Sequence, residues 1–215
     1  MEGGNGIADV LTGKEVFQGK LTDTIAKKIM DYPSDKNHGG KEKNVYQEDI
    51  YVGYRYFETF AKEAVLYPFG YGLSYTEFSI VDSAVKVNGN DVKTSFSFTC
   101  RVKNIGTVYS GREIVQLYVE KPVSGMGRPV RELVGFAKTR NLGCQEEEEL
   151  QIEIPVYKLA SFDDSGISGY RHAYVLEAGT YHFYAGTNVR DAIEVPIENM
   201  MHWQLVNTLL IEQCE

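Results

Sequence analysis

The stretch Ser-Phe-Ser-Phe-Thr-Cys-Arg-Val-Lys at residues 95–103 decides the fold of this chain. Apolar side chains at positions 96, 98, 100 and 102 alternate with polar ones. This period of two places each set on one face of a β-strand. The pattern predicts a strand whose apolar face, with Cys100 as a small member, lies in a core.

Other short segments with strand character follow the same plan, separated by turn residues such as those at 88–91. Segment 114–119 is apolar on both faces, so we expect it to be covered on both sides. About seven short strands between turns are typical of an immunoglobulin-like or fibronectin type III-like β-sandwich. We therefore predict a mainly β fold with the sandwich at residues 78–198, its further strands lying around 85–87, 133–137, 150–154, 180–185 and 193–197.

Residues 1–64 differ from this pattern and suggest the truncated end of an α/β-sandwich domain. Ile7 to Leu11 fit a short apolar helix that Gly13 ends. Residues 19–24 are predicted to form a short strand, and residues 50–57 an extended aromatic segment. Residues 32–49 are polar and predict an exposed loop, mobile over 36–44. One helix, one strand and long loops cannot form a self-sufficient core.

Residues 65–77 predict an extended aromatic connector between these two regions. Its centre, Tyr-Pro-Phe-Gly-Tyr-Gly-Leu-Ser-Tyr-Thr at 67–76, is too irregular for a helix or a strand. Residues 199–215 are interpreted as a tail that could begin a following region. A short amphipathic helix is the favoured prediction for it, and a strand is nearly as good. Trp203 is placed outside the sandwich, and residues 158–162 are interpreted as one helical turn.

Composition and charge exclude several classes of function. The net charge of −8 argues against a nucleic-acid partner or an anionic membrane surface. No apolar stretch approaches the ~20 residues of a membrane span, so no membrane partner is expected. Three widely spaced cysteines do not suggest a disulfide framework and favour a reducing compartment such as the bacterial cytoplasm.

Residues that could carry chemistry do not form a recognisable site. The acidic run at 146–149 is interpreted as a solvated strand end, and Asp-Asp-Ser-Gly at 163–166 as a turn. His38, His172, His182 and His202 show neither the spacing nor the cysteine partners of a zinc site. We therefore predict no catalytic residue, no metal and no cofactor.

The order of eight motifs over residues 3–195 resembles glycoside hydrolase family 3. The first four resemble the end of that family's second, α/β-sandwich domain and the connector leaving it. The other four resemble the fibronectin type III-like domain that follows. The motifs are Gly-Gly-Asn-Gly-Ile-Ala-Asp-Val-Leu-Thr-Gly (3–13), Gly-Lys-Leu-Thr-Asp-Thr (19–24), Val-Gly-Tyr-Arg-Tyr-Phe (52–57), the connector centre (67–76), Val-Lys-Asn-Ile-Gly (102–106), Val-Gln-Leu-Tyr-Val (115–119), Arg-Glu-Leu-Val-Gly-Phe (131–136), and Gly-Thr-Tyr with Ala-Gly (179–181, 185–186).

The resemblance implies a parent enzyme that removes β-linked glucose or a related sugar with retention of configuration. It implies an Asp nucleophile on a (β/α)8 barrel and an acid/base Glu earlier in the second domain. Neither motif occurs in this chain, so we expect the chain alone to be inactive. Its implied partners are the barrel and α/β-sandwich domains of the same parent chain, with the barrel before or after this segment, and the parent's β-linked saccharide.

Two functions remain open for the aromatic residues at the joint. The first is a structural brace that docks on the catalytic domains through exposed aromatic side chains. The second is a carbohydrate-binding module in which exposed tyrosines stack on sugar rings. The residues predicted for interdomain docking or sugar contact are Tyr67, Phe69, Tyr71, Tyr75 and Tyr118.

Overall fold

The computed structural model describes residues 2–89, 93–197 and 203–214. Thirteen strands and two α-helices are present in this part of the chain. The helices are α1 (Gly3–Leu11) and α2 (Tyr54–Phe60). The strands are β1 (Ile25–Ala26), β2 (Val65–Tyr67), β3 (Phe78–Asn88), β4 (Ser95–Asn104), β5 (Ile114–Glu120), β6 (Glu132–Lys138), β7 (Glu147–Pro155), β8 (Ser161–Asp163), β9 (Ala173–Leu176), β10 (Gly179–Gly186), β11 (Ile193–Val195), β12 (Trp203–Leu205) and β13 (Leu209–Gln213).

Two antiparallel sheets face each other and form the predicted sandwich. One has the order β3-β4-β7 and the other β11-β10-β5-β6. The apolar side chains of β4 are at most 1% exposed, as their alternation predicted. Phe96 on β4 meets Phe183 on β10 across the interface, with ring centroids 5.3 Å apart. All seven predicted strands are present, so the mainly β prediction is confirmed.

The polar face of β4 is partly buried. Ser97 is 9% exposed, and its hydroxyl accepts a hydrogen bond of 3.1 Å from the Gln151 side chain. The cause is position, because β4 is the central strand of its sheet and is flanked by β3 and β7. Side chains from a neighbouring strand can therefore cover even its outer face.

The tail completes the sandwich, and here two predictions are wrong. It forms β12, which pairs with β10, and β13, which pairs with β9. A strand forms instead of the favoured helix because β10 and β9 offer unpaired backbone groups at their edges. Trp203 lies against the core, 5.1 Å from Phe96 and 5.3 Å from Tyr181, measured between ring centroids. The predicted boundary at 198/199, the second half of the predicted turn at 88–91, and His202 lie outside the described residues.

The leading segment, defined here as residues 2–64, follows its prediction in part. Helix α1 is present, and Gly13 follows it with a φ of +76°, the left-handed conformation expected of a helix-ending glycine. Residues 32–49 are largely exposed and contain only the 3₁₀ turn Pro33–Lys36. The predicted strand at 19–24 is absent, and the extended β1 pairing begins at Ile25 instead.

The prediction of an extended segment at 50–57 is also wrong, because α2 begins at Tyr54. Gly53 precedes it with a φ of +57°. In a helix, residues three apart lie on one face, so Tyr54 and Phe57 can both turn toward the protein. Phe57 is fully buried, with Ala26 and Val65 as its buried neighbours. Burial of one aromatic face thus decides the conformation, overriding the strand preference of aromatic residues.

The segment predicted as one helical turn at 158–162 divides into two elements. Residues Val156–Leu159 form a 3₁₀ turn, and β8 begins at Ser161. Val156 and Leu159 are buried in the sandwich core. The helical part of the prediction is therefore displaced by two residues toward the N-terminus.

Candidate functional site at the joint

The connector, residues 65–77, runs between the leading segment and one end of the sandwich. The amide of Gly70 donates to the carbonyl of Leu21 (2.8 Å), and the amide of Leu21 donates to the carbonyl of Tyr71 (2.7 Å). On the other side, the amide of Val189 donates to the carbonyl of Phe69 (3.2 Å). The connector is therefore hydrogen-bonded to both regions at once.

Gly70 lets the connector approach the sandwich this closely. Its φ is +83°, and a Cβ there would lie 2.5 Å from the side-chain amide of Gln116 and 2.9 Å from Cα of Asn188. Any other residue at this position would have a strained backbone, and its side chain would clash with the sandwich. Gly70 thus provides both the positive φ and the close packing that this position requires.

The outer face of β5 is covered by aromatic side chains from the joint. Tyr118 has no exposed surface, and the Tyr54 ring lies 6.1 Å from it and 4.7 Å from the ring of Phe69. The Tyr118 hydroxyl donates to the Gln116 side chain, which in turn donates to the carbonyl of Thr187 (3.1 Å). Burial, followed by the neighbouring Tyr54, raises the pKa of Tyr118 far above its usual range. The predicted cover on both sides of β5 is confirmed, and Tyr118 offers no surface to a sugar.

Helix α2 is attached to the start of β6 by two hydrogen bonds. The amide of Leu133 donates to the Tyr54 hydroxyl (2.9 Å), and the amide of Val130 donates to the Thr59 hydroxyl (3.1 Å). The first bond satisfies a backbone donor of the edge strand β6, and the second satisfies one just before that strand begins. The leading segment therefore takes the place of a neighbouring strand at Leu133.

Ion pairs join the same two regions. Arg190 Nε lies 2.9 Å from Glu58 Oε1, and its Nη2 donates to the carbonyl of Lys62 (2.7 Å). Glu58 is 5% exposed, so the guanidinium of Arg190 compensates a buried carboxylate. A second pair, Lys20 with Glu113 at 2.8 Å, has side chains only 15% and 10% exposed. Each pair has one partner in the leading segment and one in the sandwich.

Glu132 at the start of β6 is shared by two cations. Its carboxylate lies 2.9 Å from Lys121 Nζ and 3.6 Å from Arg55 on α2. The Lys121 side chain is 3% exposed, and this burial lowers its pKa against the opposing effect of Glu132. Lys121 also donates to the carbonyl of Ala160 and the hydroxyl of Ser161, both at 3.2 Å. The contact thus has a buried, fully hydrogen-bonded ammonium at its centre.

The predicted aromatic residues separate into three groups. Phe69 and Tyr118 pack beneath α2, as described above. Tyr75 donates to the carbonyl of Val10 (2.9 Å), so it binds helix α1. Tyr67 and Tyr71 lie 5.0 Å apart by ring centroids, and Tyr67 is 42% exposed. Tyr67 is the most exposed of the five, and with Tyr71 it borders a hollow of 390 Å³ with an apolar lining.

The leading segment carries most of its large apolar side chains on the outside. Three apolar residues are buried there in one cluster, Ala26, Phe57 and Val65, the last contributed by the connector. By contrast, many are at least half exposed, an unusual density for a free surface. They are Ile7, Leu11, Ile29, Met30, Val45, Tyr46, Val52, Phe60 and, on the connector, Leu66 and Leu73.

The candidate chemical groups of the sequence stay apart in the structure. Among the described residues, no three His, Cys, Asp or Glu side chains lie close enough to hold a metal ion. The acidic run is solvated, and Glu146 accepts from the amide of Gly143 (2.9 Å) and from Arg140 (2.8 Å). Cys100 is 1% exposed, while Cys144 is exposed, and both are free thiols. None of the helices in this part of the chain is long and apolar enough to cross a membrane.

Residues 163–166 form the turn that the sequence predicted. The buried Asp163 carboxylate accepts from the amides of Ser165 (3.0 Å), Gly166 (2.7 Å) and Ser168 (2.6 Å). Burial opposes the ionised form, but these donors outweigh it and hold the pKa of Asp163 well below its usual range. The carboxylate therefore organises its own loop.

Sequence reasoning missed the residues that hold the joint together. Tyr54 was within a recognised aromatic run, but its role depended on the helix that the run was not expected to form. Glu58 and Arg190 are separated by 132 residues, and neither belongs to a motif that predicts pairing. The excess of aromatic residues before residue 76 was the one signal that pointed to this surface.

Two family models match separate parts of this chain. Residues 1–54 match the glycosyl hydrolase family 3 C-terminal domain, and residues 113–189 match the fibronectin type III-like domain. All of the chain aligns with a β-glucosidase of Ruminococcus albus at 48% identity, covering 22% of that protein. Over 89% of the chain, it is 43% identical to β-glucosidase A of Butyrivibrio fibrisolvens, covering 24% of it.

Solved structures of β-glucosidases contain a region that superposes on nearly the whole of this chain. A β-glucosidase from Paenibacillus barengoltzii superposes with a TM-score of 0.95 over 99% of the chain, at 46% identity, and the chain covers 23% of it. β-Glucosidase 3B from Thermotoga neapolitana gives a TM-score of 0.84 over 98% of the chain, at 36% identity and 28% coverage. The chain thus spans about a quarter of the length of these relatives. It belongs to glycoside hydrolase family 3 and corresponds to the family's C-terminal and fibronectin type III-like portion.

Proposed function

We propose that this chain is a non-catalytic, structural part of a family 3 glycoside hydrolase that braces the catalytic domains of its parent. The parent is then a retaining β-glucosidase or a related exo-β-glycosidase acting on a β-linked saccharide. The chain's partners are the barrel and the α/β-sandwich domain of the same polypeptide. The names of the aligned relatives support the parent's activity.

The contrast between the two sides of the leading segment carries the bracing proposal. One side is fixed to the sandwich by the Arg190–Glu58 and Lys20–Glu113 ion pairs. The other side presents apolar side chains such as Phe60, which is 61% exposed. Large exposed apolar surfaces mark protein contacts, and removing apolar area from water is favourable by about 25 cal/mol for each Å² before the costs of association. The three quarters of the relatives' length that this chain does not span can supply that cover.

A chimera tests the proposal. The matching stretch of the Ruminococcus albus β-glucosidase is replaced by this chain, and hydrolysis of an aryl β-glucoside is measured alongside the Tm. We expect activity from the chimera and no turnover from the isolated chain. Phe60→Ser should lower the chimera's Tm but leave that of the isolated chain unchanged. Phe136→Ser, at a 67% exposed position on β6, is the matched control.

Two results would contradict the proposal. One is turnover by the isolated chain that persists after purification through two unrelated chromatographic steps. The other is a chimera whose Tm and activity respond equally to Phe60→Ser and Phe136→Ser, or to neither.

A further inference from the structure

A second cavity in the joint, of 310 Å³, differs in character from the apolar hollow beside Tyr67. Its walls come from residues 17–20 of the leading segment, residues 71–78 around the connector, and the sandwich at 105, 112–113 and 187–191. Ligand pockets in proteins measure ~300–1,000 Å³. The cavity is at the small end of that range, which suits a ligand with a single ring.

Glycine closes one wall of this cavity. A Cβ at Gly72 would lie 2.6 Å from the carbonyl oxygen of Gly19 and 2.7 Å from Cδ of Lys20. The connector and the leading segment therefore touch backbone to backbone at this point. The cavity depends on both regions, so neither region alone would form it.

Charges of both signs line the cavity. Lys20 and Arg112 supply donors, while Glu77, Glu113 and Asp191 supply acceptors. Lys20 forms an ion pair with Glu113, so the lining does not carry the excess positive charge that binding of an anion requires. Interleaved donors and acceptors instead fit groups that both donate and accept, and the hydroxyl is such a group.

Aromatic rings complete the lining. Phe17, Tyr71 and Phe78 contribute partly buried side chains to the same walls. An aromatic surface packs against flat apolar faces, while the polar side chains fix the orientation of a ligand's rim. A ring with an apolar C–H face and a rim of hydroxyl groups matches this combination. Hexopyranoses have that shape and that chemistry.

We propose that this cavity is a binding site for a single hexopyranose unit. The ligand packs against the aromatic wall and exchanges hydrogen bonds with Arg112, Glu77 and Asp191. The site shares Phe17, Lys20 and Tyr71 with the apolar hollow beside Tyr67, and it differs from that hollow in its charged lining. It does not depend on the bracing role, because the cavity is complete within this chain.

Amide chemical-shift mapping of the ¹⁵N-labelled 215-residue chain, titrated with methyl β-D-glucopyranoside, tests the site. We expect saturable shifts at millimolar sugar, concentrated at residues 17–20, 71–78 and 187–191. Arg112→Ala should weaken binding at least tenfold, and Ile105→Trp, at a 43% exposed rim position, should abolish it by filling the opening. Arg171 is an exposed arginine outside the cavity, so Arg171→Ala is the matched control and should bind the sugar as tightly as the unmodified 215-residue chain does.

Sodium phosphate, titrated separately, distinguishes a sugar site from an anion site. Saturable phosphate binding at the same residues with equal or greater affinity would overturn the assignment. So would shifts that do not saturate, shifts centred on Tyr67 and Leu21, or sugar binding that both cavity variants leave intact. Far-UV circular dichroism of each variant verifies that the chain is folded. The chimera described above responds to bracing alone, so the two proposals can fail separately.

Discussion

The sandwich and the leading segment bury apolar side chains to very different extents. The sandwich core contains twenty buried residues, from Val85 to Ile197, whereas the small cluster around Phe57 contains three. Burial of a large apolar side chain contributes ~1.5–3 kcal/mol, so the first can fold by its own core and the second cannot. The leading segment is held instead by hydrogen bonds and ion pairs to the sandwich. The leading segment is therefore ordered by its contacts with the sandwich and not by a core of its own. Its outward face is available to another partner.

The strongest test of this comparison is Phe96→Ala in the centre of the sandwich. Phe96 is fully buried between Phe183 and Trp203. Loss of its ring should lower the free energy of unfolding by about 3–5 kcal/mol. Urea unfolding followed by far-UV circular dichroism measures the change. A loss below 1 kcal/mol would mean that the sandwich core does not dominate stability.

Phe57→Ala should have a smaller and more local effect. It removes the largest member of the three-residue cluster, so α2 should detach while the sandwich stays folded. Hydrogen exchange should show the free energy of local opening at residues 54–60 falling by about 2–3 kcal/mol. Residues 95–104 should keep their protection. Phe60→Ala, on the exposed side of the same helix, is the matched control, and equal loss of protection in β4 would contradict the comparison.

Arg190→Ala tests whether ion pairs hold the leading segment. It leaves the Glu58 carboxylate buried without its cation, which should cost about 2 kcal/mol in the same local opening. Glu58→Gln in the Arg190→Ala background should recover part of that loss, because the unpaired charge is removed. A double-mutant cycle measures the coupling. If the two substitutions act additively, the pair does not hold α2.

Asp163→Asn should give the smallest change, and one that depends on pH. The folded state holds the pKa of Asp163 below its ordinary value of 3.8. The ionised group therefore stabilises the fold above about pH 4, and this contribution is lost as the pH falls further. We expect the substitution to cost about 1–2 kcal/mol at pH 7 and progressively less below pH 4. A difference between the two proteins that grows on acidification would show the opposite sign.

The strands were predictable because their signal is local. In β4 and β7, alternate residues are apolar, and the partner of each strand needs no identification for this pattern to be visible. Helix α1 and its glycine end were predictable for the same reason. The acidic run and the turn at 163–166 also lie where their composition placed them.

The elements that were predicted wrongly depend on distant partners. Helix α2 forms because Phe57 finds Val65 and Ala26, and the tail forms strands because β9 and β10 have open edges. Trp203 joins the core by the same route. Local preference is weak in such short segments, so a tertiary contact of a few kcal/mol outweighs it.

The amino-acid sequence by itself determined the β-sandwich, the aromatic connector, the family resemblance and the expectation that this chain has no catalytic centre. Only the tertiary structure decided what the connector does. Gly70 packs against Gln116, Tyr118 is sealed beneath Tyr54, and Arg190 reaches Glu58 across 132 residues. The physical reason is that alternation and turn chemistry are written in neighbouring residues. Packing and charge pairing join residues whose separation along the chain carries no signal.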